Sequence, residues 1–326
     1  TPIIADGVER QTASEERITY ISGNDTLVGY LSSPQTERPY PVIVVLHSAS
    51  HGHHDNDLYN HLETQMNDMG VGVFTYDRRG SGESTGDFNT ASLPTLAQDA
   101  LNAIEELRTR SDIDTDRIGL FGISQGGWLG PIAYSISPSD ISFMILVSSS
   151  GVSPADQMEY SAVTTLKMNG HSQEVIDKAI HLRNITNAYY RGRRDRESTQ
   201  EEIDRFREEE WFNDVYLPWQ GNLPNDVGVT KWIHEMDLDP VEYFQHVDIP
   251  IALFYGATDR WVPIEESMDV WRTVFEKNGN TNFEFHRIDR AGHMMILDED
   301  NEPEVEIISD QYTKALKRWV VENVFE

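Results

Sequence analysis

Short apolar runs separated by amphipathic segments constrain this 326-residue chain more than any other feature. Residues 41–46 read Pro-Val-Ile-Val-Val-Leu, and 71–76 carry no charge until Asp77. β-Branched side chains crowd a helix but sit well on a pleat, and a run without polar alternation has no face to offer water. Such runs predict strands buried on both sides, which requires helices on both faces of the sheet. Helical spacing fills the intervals: 58–69, and 93–107 with Leu93, Leu96, Ala100, Ala103, Ile104 and Leu107 on one stripe. Further strands are expected at 116–121, 141–147, 250–255 and 283–288, and further helices at 128–136, 264–277 and 307–324. Ahead of them, 17–21 and 27–31 alternate around Gly23-Asn24-Asp25 and read as a hairpin. The expectation is an α/β architecture with a mostly parallel sheet.

The rhythm breaks between about 154 and 232, where polar, charged and aromatic residues mix without a strand-like run. We read 1–153 and 241–326 as the core and 154–240 as a helical cap, inserted between two strands on the side where open sheets bind ligands. Residues 195–210 are rich in charge, yet Ile203 and Phe206 keep helical spacing, which predicts a solvated cap helix. Trp211, Phe212, Tyr216, Trp219, Trp232, Met158, Tyr160 and Met168 populate the cap. Most such side chains hold a small subdomain together. Trp211, Tyr216, Trp219 and Trp232 are the candidates for a substrate-facing wall.

The chemistry concentrates in Gly122-Ile123-Ser124-Gln125-Gly126, which lies between an expected strand and an expected helix. Two glycines allow a sharp turn that holds Ser124 in a strained conformation and lifts its hydroxyl over the sheet edge. Asp259 and His293 follow later strands, giving the chain order Ser, Asp, His. A serine hydroxyl is a poor nucleophile unless a neutral imidazole takes its proton, and a carboxylate fixes the tautomer of that imidazole.

With these residues assembled, the chain resembles the α/β-hydrolase superfamily over nearly its whole length. Tyr76-Asp77-Arg78-Arg79-Gly80-Ser81-Gly82-Glu83-Ser84-Thr85-Gly86 is similar to a segment of bacterial serine esterases grouped with dienelactone-hydrolase-like and serine-aminopeptidase-like proteins. Residues 256–263 and Ala291-Gly292-His293 match the patterns that carry the acid and the histidine there. The resemblance implies the α/β-hydrolase fold and hydrolysis of small to medium carboxylic esters through an acyl-enzyme on Ser124, with Asp259 and His293 completing the triad. Oxyanion donors are expected from the backbone of Gln125 and from the loop Leu46-His47-Ser48-Ala49-Ser50, where Ala49 and Ser48 share the assignment. The usual pattern has glycine directly after the histidine; this chain has Ser48. An aminopeptidase-like, amide or thioester hydrolase with the same triad, and a non-catalytic binding protein on the same fold, are the alternatives.

Composition narrows the partners. Lys and Arg number 26 against 55 Asp and Glu, a net charge of -29, which disfavours nucleic acid and anionic membranes. No apolar run approaches a membrane span. Without cysteine there are no disulfides, thiol nucleophiles or thiolate metal sites. His51, His53, His54, Asp55, Asp57 and His61 are dense enough to suggest a metal, but their spacing fits no zinc pattern, and we read them as loop and helix-cap residues. Asp77 also follows a strand, but it precedes the nucleophile and is read as a turn residue. No cofactor or metal is expected, and the partner is a small-molecule ester. The first residue is Thr1 rather than Met, which leaves secretion or a periplasmic location open beside a cytoplasmic one.

Overall fold

The computed structural model describes residues 14–50, 52–299 and 305–325; His51 of the histidine-rich loop lies outside them. An eight-stranded sheet forms the frame. Its strands are β1 (Ser14–Ser22), β2 (Asp25–Ser33), β3 (Tyr40–Leu46), β4 (Gly72–Tyr76), β5 (Ile113–Ile123), β6 (Phe143–Val147), β7 (Ile251–Gly256) and β8 (Phe283–Ile288). Their order is β1-β2-β4-β3-β5-β6-β7-β8. The expected hairpin is β1 with β2, which joins β4 antiparallel. From β4 through β8 every pairing is parallel. All carboxyl ends from β3 to β8 therefore open on one edge, where ligands of such sheets bind.

The helices of the frame are α1 (Asp57–Asn67), α2 (Leu93–Arg108) and α3 (Gly126–Ile136). Between β6 and β7 lie α4 (Pro154–Met168), α5 (Gln173–Tyr190), α6 (Arg196–Asp204) and α7 (Lys231–Glu235), the inserted helices expected as a cap and called so below. After it come the short α8 (Val241–Phe244), then α9 (Ile264–Asn278) and α10 (Asp310–Val320). Helix α2 shows why the sequence folds this way. Ser92 caps it by accepting from the Thr95 N–H, Pro94 suits its first turn, and its predicted stripe is almost wholly buried. Each fully buried leucine or isoleucine there contributes about 2 kcal/mol of transfer free energy. One apolar cluster lies on each face of the sheet, one centred on α2, α3 and α9, the other on α1 and α10.

The cap has a third cluster of its own, with Leu166, Leu182, Ile203 and Met236 at its centre. Arg183 is buried within it, and its Nη1 donates to the carbonyls of Val215 and Tyr216 at 2.8 and 3.0 Å. That clamp fixes a segment in which Tyr216, Trp219 and Gln220 all have φ near +50°. Left-handed backbone costs a residue with a Cβ roughly 1–2 kcal/mol, so the segment needs outside support.

Glu63 on α1 gives the frame a pH dependence. Burial pushes its carboxyl up to about 7, with the charge of Glu15 adding to the effect. The folded protein thus holds this proton more tightly than the unfolded chain does. The contribution to stability is complete below the ordinary carboxylate range and is lost as pH rises through about 7. Glu63→Gln is expected to stabilise the protein by about 1–2 kcal/mol at pH 8 and by little at pH 4.5. Urea unfolding at both pH values checks the difference.

Candidate active site

Strand β5 enters α3 through Ser124, whose φ of 54° is left-handed. Two close approaches require the flanking glycines. A Cβ on Gly122 would lie 2.3 Å from the Gly126 carbonyl oxygen, and one on Gly126 would lie 2.4 Å from that of Leu46. The turn is pinned by Ser124 N–H to Val147 O (2.9 Å) and Gly127 N–H to Ser124 O (2.8 Å). Ser124 therefore stands at the N-terminus of α3, where the helix dipole favours developing negative charge. Among the described residues the Gln125 N–H has no hydrogen-bond acceptor.

The loops after β7 and β8 bring Asp259 and His293 together. A Cβ on Gly256 would fall 2.0 Å from the Gly292 carbonyl oxygen, so only glycine lets the two loops touch. Thr258 reinforces the contact, its N–H and Oγ1 both donating to Ala291 O at 3.0 and 2.9 Å. Asp259 is 5% exposed. Its Oδ1 accepts from the backbone N–H groups of Trp261 (2.7 Å) and Val262 (3.3 Å), and its Oδ2 lies 2.8 Å from His293 Nδ1. An ionised carboxylate can only accept, so Nδ1 carries the proton and Nε2 keeps its lone pair. Ser148, itself at φ 51° at the end of β6, donates from Oγ to the His293 carbonyl at 2.8 Å. The histidine loop is thereby tied to the strand beside β5.

The other expected site residues separate. His47 is buried and bonds Tyr76 O through Nε2 at 2.5 Å; burial pulls its imidazole down to about 3, so it stays neutral. Ser48 is buried after it, whereas Ala49 is exposed. Tyr216 packs on Trp261 with the rings tilted by 45° and their centroids 4.8 Å apart, and the Trp261 ring centroid lies 6.5 Å from that of His293. Trp211 instead packs on Phe206 in the cap cluster at 4% exposure. Its surroundings are those of a packing residue. Trp232 packs against the same cluster, its Nε1 donating to Asn187 Oδ1 at 3.0 Å, and Trp219 is half exposed at the surface.

Two features escaped the sequence reading. Trp261 sits two residues beyond Asp259 and braces it, a placement that its position in the acid loop hinted at. Glu235 on α7 accepts from Gln125 Nε2 at 2.7 Å and pairs with Lys231, which joins the cap to the elbow. Lys231 and Glu235 have i,i+4 spacing, but no local pattern marked the contact of Glu235 with Gln125, 110 residues away. Asp77 is a hydrogen-bond hub: Oδ1 accepts from His54 N–H and Nδ1, and Oδ2 from Glu83 N–H. Burial opposes its charge, but these donors together hold its carboxyl below the usual carboxylate range. His61 bonds Thr313 Oγ1 at 2.9 Å. Among the described residues no group of three His, Asp or Glu side chains could hold a metal ion. Among them, too, no helix is long and apolar enough to cross a membrane.

This geometry can be set beside known proteins. The pattern of the family described as "Serine aminopeptidase, S33" matches residues 38–300, which include the elbow and both later loops. The chain belongs to that family of α/β hydrolases. Among curated proteins, it is similar to the "Alpha/beta hydrolase domain-containing protein WAV2" of Arabidopsis thaliana, 39% identical over 74 residues, 23% of each chain. The chain spans less than half the length of the curated relatives it matches. Among solved structures, the ferulic acid complex of Est1E from Butyrivibrio proteoclasticus aligns with a TM-score of 0.60 at 16% identity, over 95% of this chain and 100% of that one. A proline iminopeptidase from Mycobacterium smegmatis aligns with a TM-score of 0.59 at 14% identity, over 95% and 99%. At such identities the likeness speaks to the fold alone. Esterase and peptidase share this frame, so membership in the family leaves the reaction to be argued from the site.

Proposed function

We propose that this hydrolase cleaves carboxylic esters through an acyl-enzyme on Ser124. Two observations carry the reading: a buried, doubly supported Asp259 pairs with His293 Nδ1 at 2.8 Å, and Ser124 is held at φ 54° on a strand-to-helix turn at the same carboxyl edge of the sheet. His293 Nε2 takes the Ser124 proton as the hydroxyl attacks and later returns it to the leaving alcohol. Asp259 keeps the imidazole in the accepting tautomer and stabilises its cation. The negative oxygen of the tetrahedral intermediate is met by the Gln125 N–H and by an N–H of the 48–49 loop.

Cleavage of an ester requires less leaving-group protonation than cleavage of an amide, so panels of esters, thioesters and amino-acid amides test the choice. Esters are expected to give the highest kcat/KM, and a preference for amino-acid amides would overturn it.

Tyr216 is the cap residue best placed to meet the acyl chain, because it covers Trp261 beside His293. Tyr216→Ala is expected to change the ratio of kcat/KM between long and short p-nitrophenyl esters by about 10-fold or more, since a wall discriminates at roughly 0.8 kcal/mol per buried methylene. Trp211→Ala should instead lower stability without altering that ratio. Equal loss on every ester from Tyr216→Ala would place the acyl pocket elsewhere.

A further inference from the structure

Arg78 is a buried cation for which the acyl-transfer reading has no task. It follows β4 at 7% exposure. Among the described residues no carboxylate lies within ion-pair distance of it: Asp77 is occupied by His54 and Glu83, while Asp25 and Asp99 are taken by Arg79. Burial pulls the guanidinium down to about 10, which leaves it charged at neutral pH. Sequestering a cation without an ion-paired carboxylate is costly; the charge of Glu235 favours it only from beyond ion-pair distance, and the direct contacts that compensate are unusual. Nη1 donates to two consecutive carbonyls, Ser48 O at 2.9 Å and Ala49 O at 3.3 Å. The Phe88 ring covers the guanidinium at 3.3 Å, and the Arg78 N–H donates to Gly52 O at 2.7 Å. Arg78 thus grips the loop after β3 at Ser48, Ala49 and Gly52.

Sheet order decides what the grip does. Strand β3 lies between β4 and β5, so Arg78 and the Ser124 elbow flank the loop from opposite sides. The elbow touches the end of β3, as the near-collision of a Gly126 Cβ with Leu46 O shows. In a trans peptide the C=O and the following N–H point in opposite directions. Drawing the oxygens of Ser48 and Ala49 toward Arg78 turns the N–H groups of Ala49 and Ser50 away from β4, toward the elbow side. A cation on the carbonyl also polarises the same peptide, which strengthens its N–H as a donor.

We propose that Arg78 is a positioning residue that aims and polarises the Ala49 N–H as the second oxyanion donor. The inference rests on the acyl-transfer reading of Ser124, and the experiment separates the two. Arg78→Met and Arg78→Lys are assayed on p-nitrophenyl acetate, and the inhibition constant of an aliphatic trifluoromethyl ketone, which forms a tetrahedral oxyanion on the serine, is measured beside KM. Arg78→Met is expected to lower kcat by about 100-fold with KM within about threefold, because a displaced oxyanion donor acts on the transition state. The ketone should weaken by a similar factor. Arg78→Lys, which restores a cation without the fork, should recover part of both losses. A folded Arg78→Met with parental kcat, or one whose loss lies in KM with the ketone unaffected, overturns the proposal. Should Arg78→Met show no cooperative melt, Arg78→Lys decides: parental kcat and ketone affinity count against it, a joint loss at unchanged KM supports it. Parental activity in Ser124→Ala would instead remove the acyl-transfer reading itself.

Discussion

Ser124→Ala is expected to lower kcat on p-nitrophenyl acetate by about 10⁶-fold, since losing the nucleophile of a serine triad leaves only binding and oxyanion contacts to act. The fold should survive. Ser124 is only partly exposed, its backbone N–H bond to Val147 O does not involve the side chain, and alanine fits the same turn. Alanine also keeps the left-handed strain at this position, whereas glycine releases it. Ser124→Gly should therefore be as inactive as Ser124→Ala yet more stable by about 1 kcal/mol, which thermal unfolding of the two variants would register. Retention of the parental rate in either variant would place the nucleophile elsewhere, and a parent with no esterase activity to lose would favour a binding protein.

The second large effect concerns the carboxylate. Asp259→Asn is expected to lower kcat by about 10⁴-fold, because an amide can donate to Nδ1 and trap the histidine in the tautomer whose Nε2 already carries a proton. The Trp261 and Val262 N–H groups would still find the amide oxygen, so the loop should hold. In the parent, activity should fall on the acid side as the His293 imidazole takes up a proton, since only its neutral form can accept from serine. His293→Ala should abolish both the rate and that acid limb. A His293→Ala variant that keeps them would assign the base to another group.

Much of the frame was legible because burial on both faces leaves a plain mark: 41–46 and 71–76 contain almost nothing that could face water, and they are β3 and β4. The pairing of Asp259 with His293 was legible for a related reason, each residue following a recognisable strand, as the candidate Ser124 does. Boundaries were less so. β5 begins at Ile113, three residues before the run expected from 116, because Asp114 and Asp116 conceal its first turns of the pleat. The last helix begins at Asp310 rather than 307: Ser309 caps it by accepting from the Tyr312 N–H, and Ile308 pairs with Ile296 instead. The cap was the least legible region. Its helices turn apolar sides toward one another, so aromatic content could not separate Trp211, a packing residue, from Tyr216, which leaves the cap to meet Trp261. Nor could spacing reveal Arg78, whose grip on Ser48 and Ala49 exists only after β4 and β3 have been laid side by side.

The proposed reaction depends on attack by Ser124 activated by His293 and Asp259. Its most direct test is to treat the folded protein with a fluorophosphonate probe and map the adduct by peptide mass spectrometry. One adduct is expected on the peptide that contains Ser124, absent in Ser124→Ala and formed far more slowly in His293→Ala. Folded protein that leaves Ser124 unlabelled, or that labels equally well after Ser124→Ala, would contradict it.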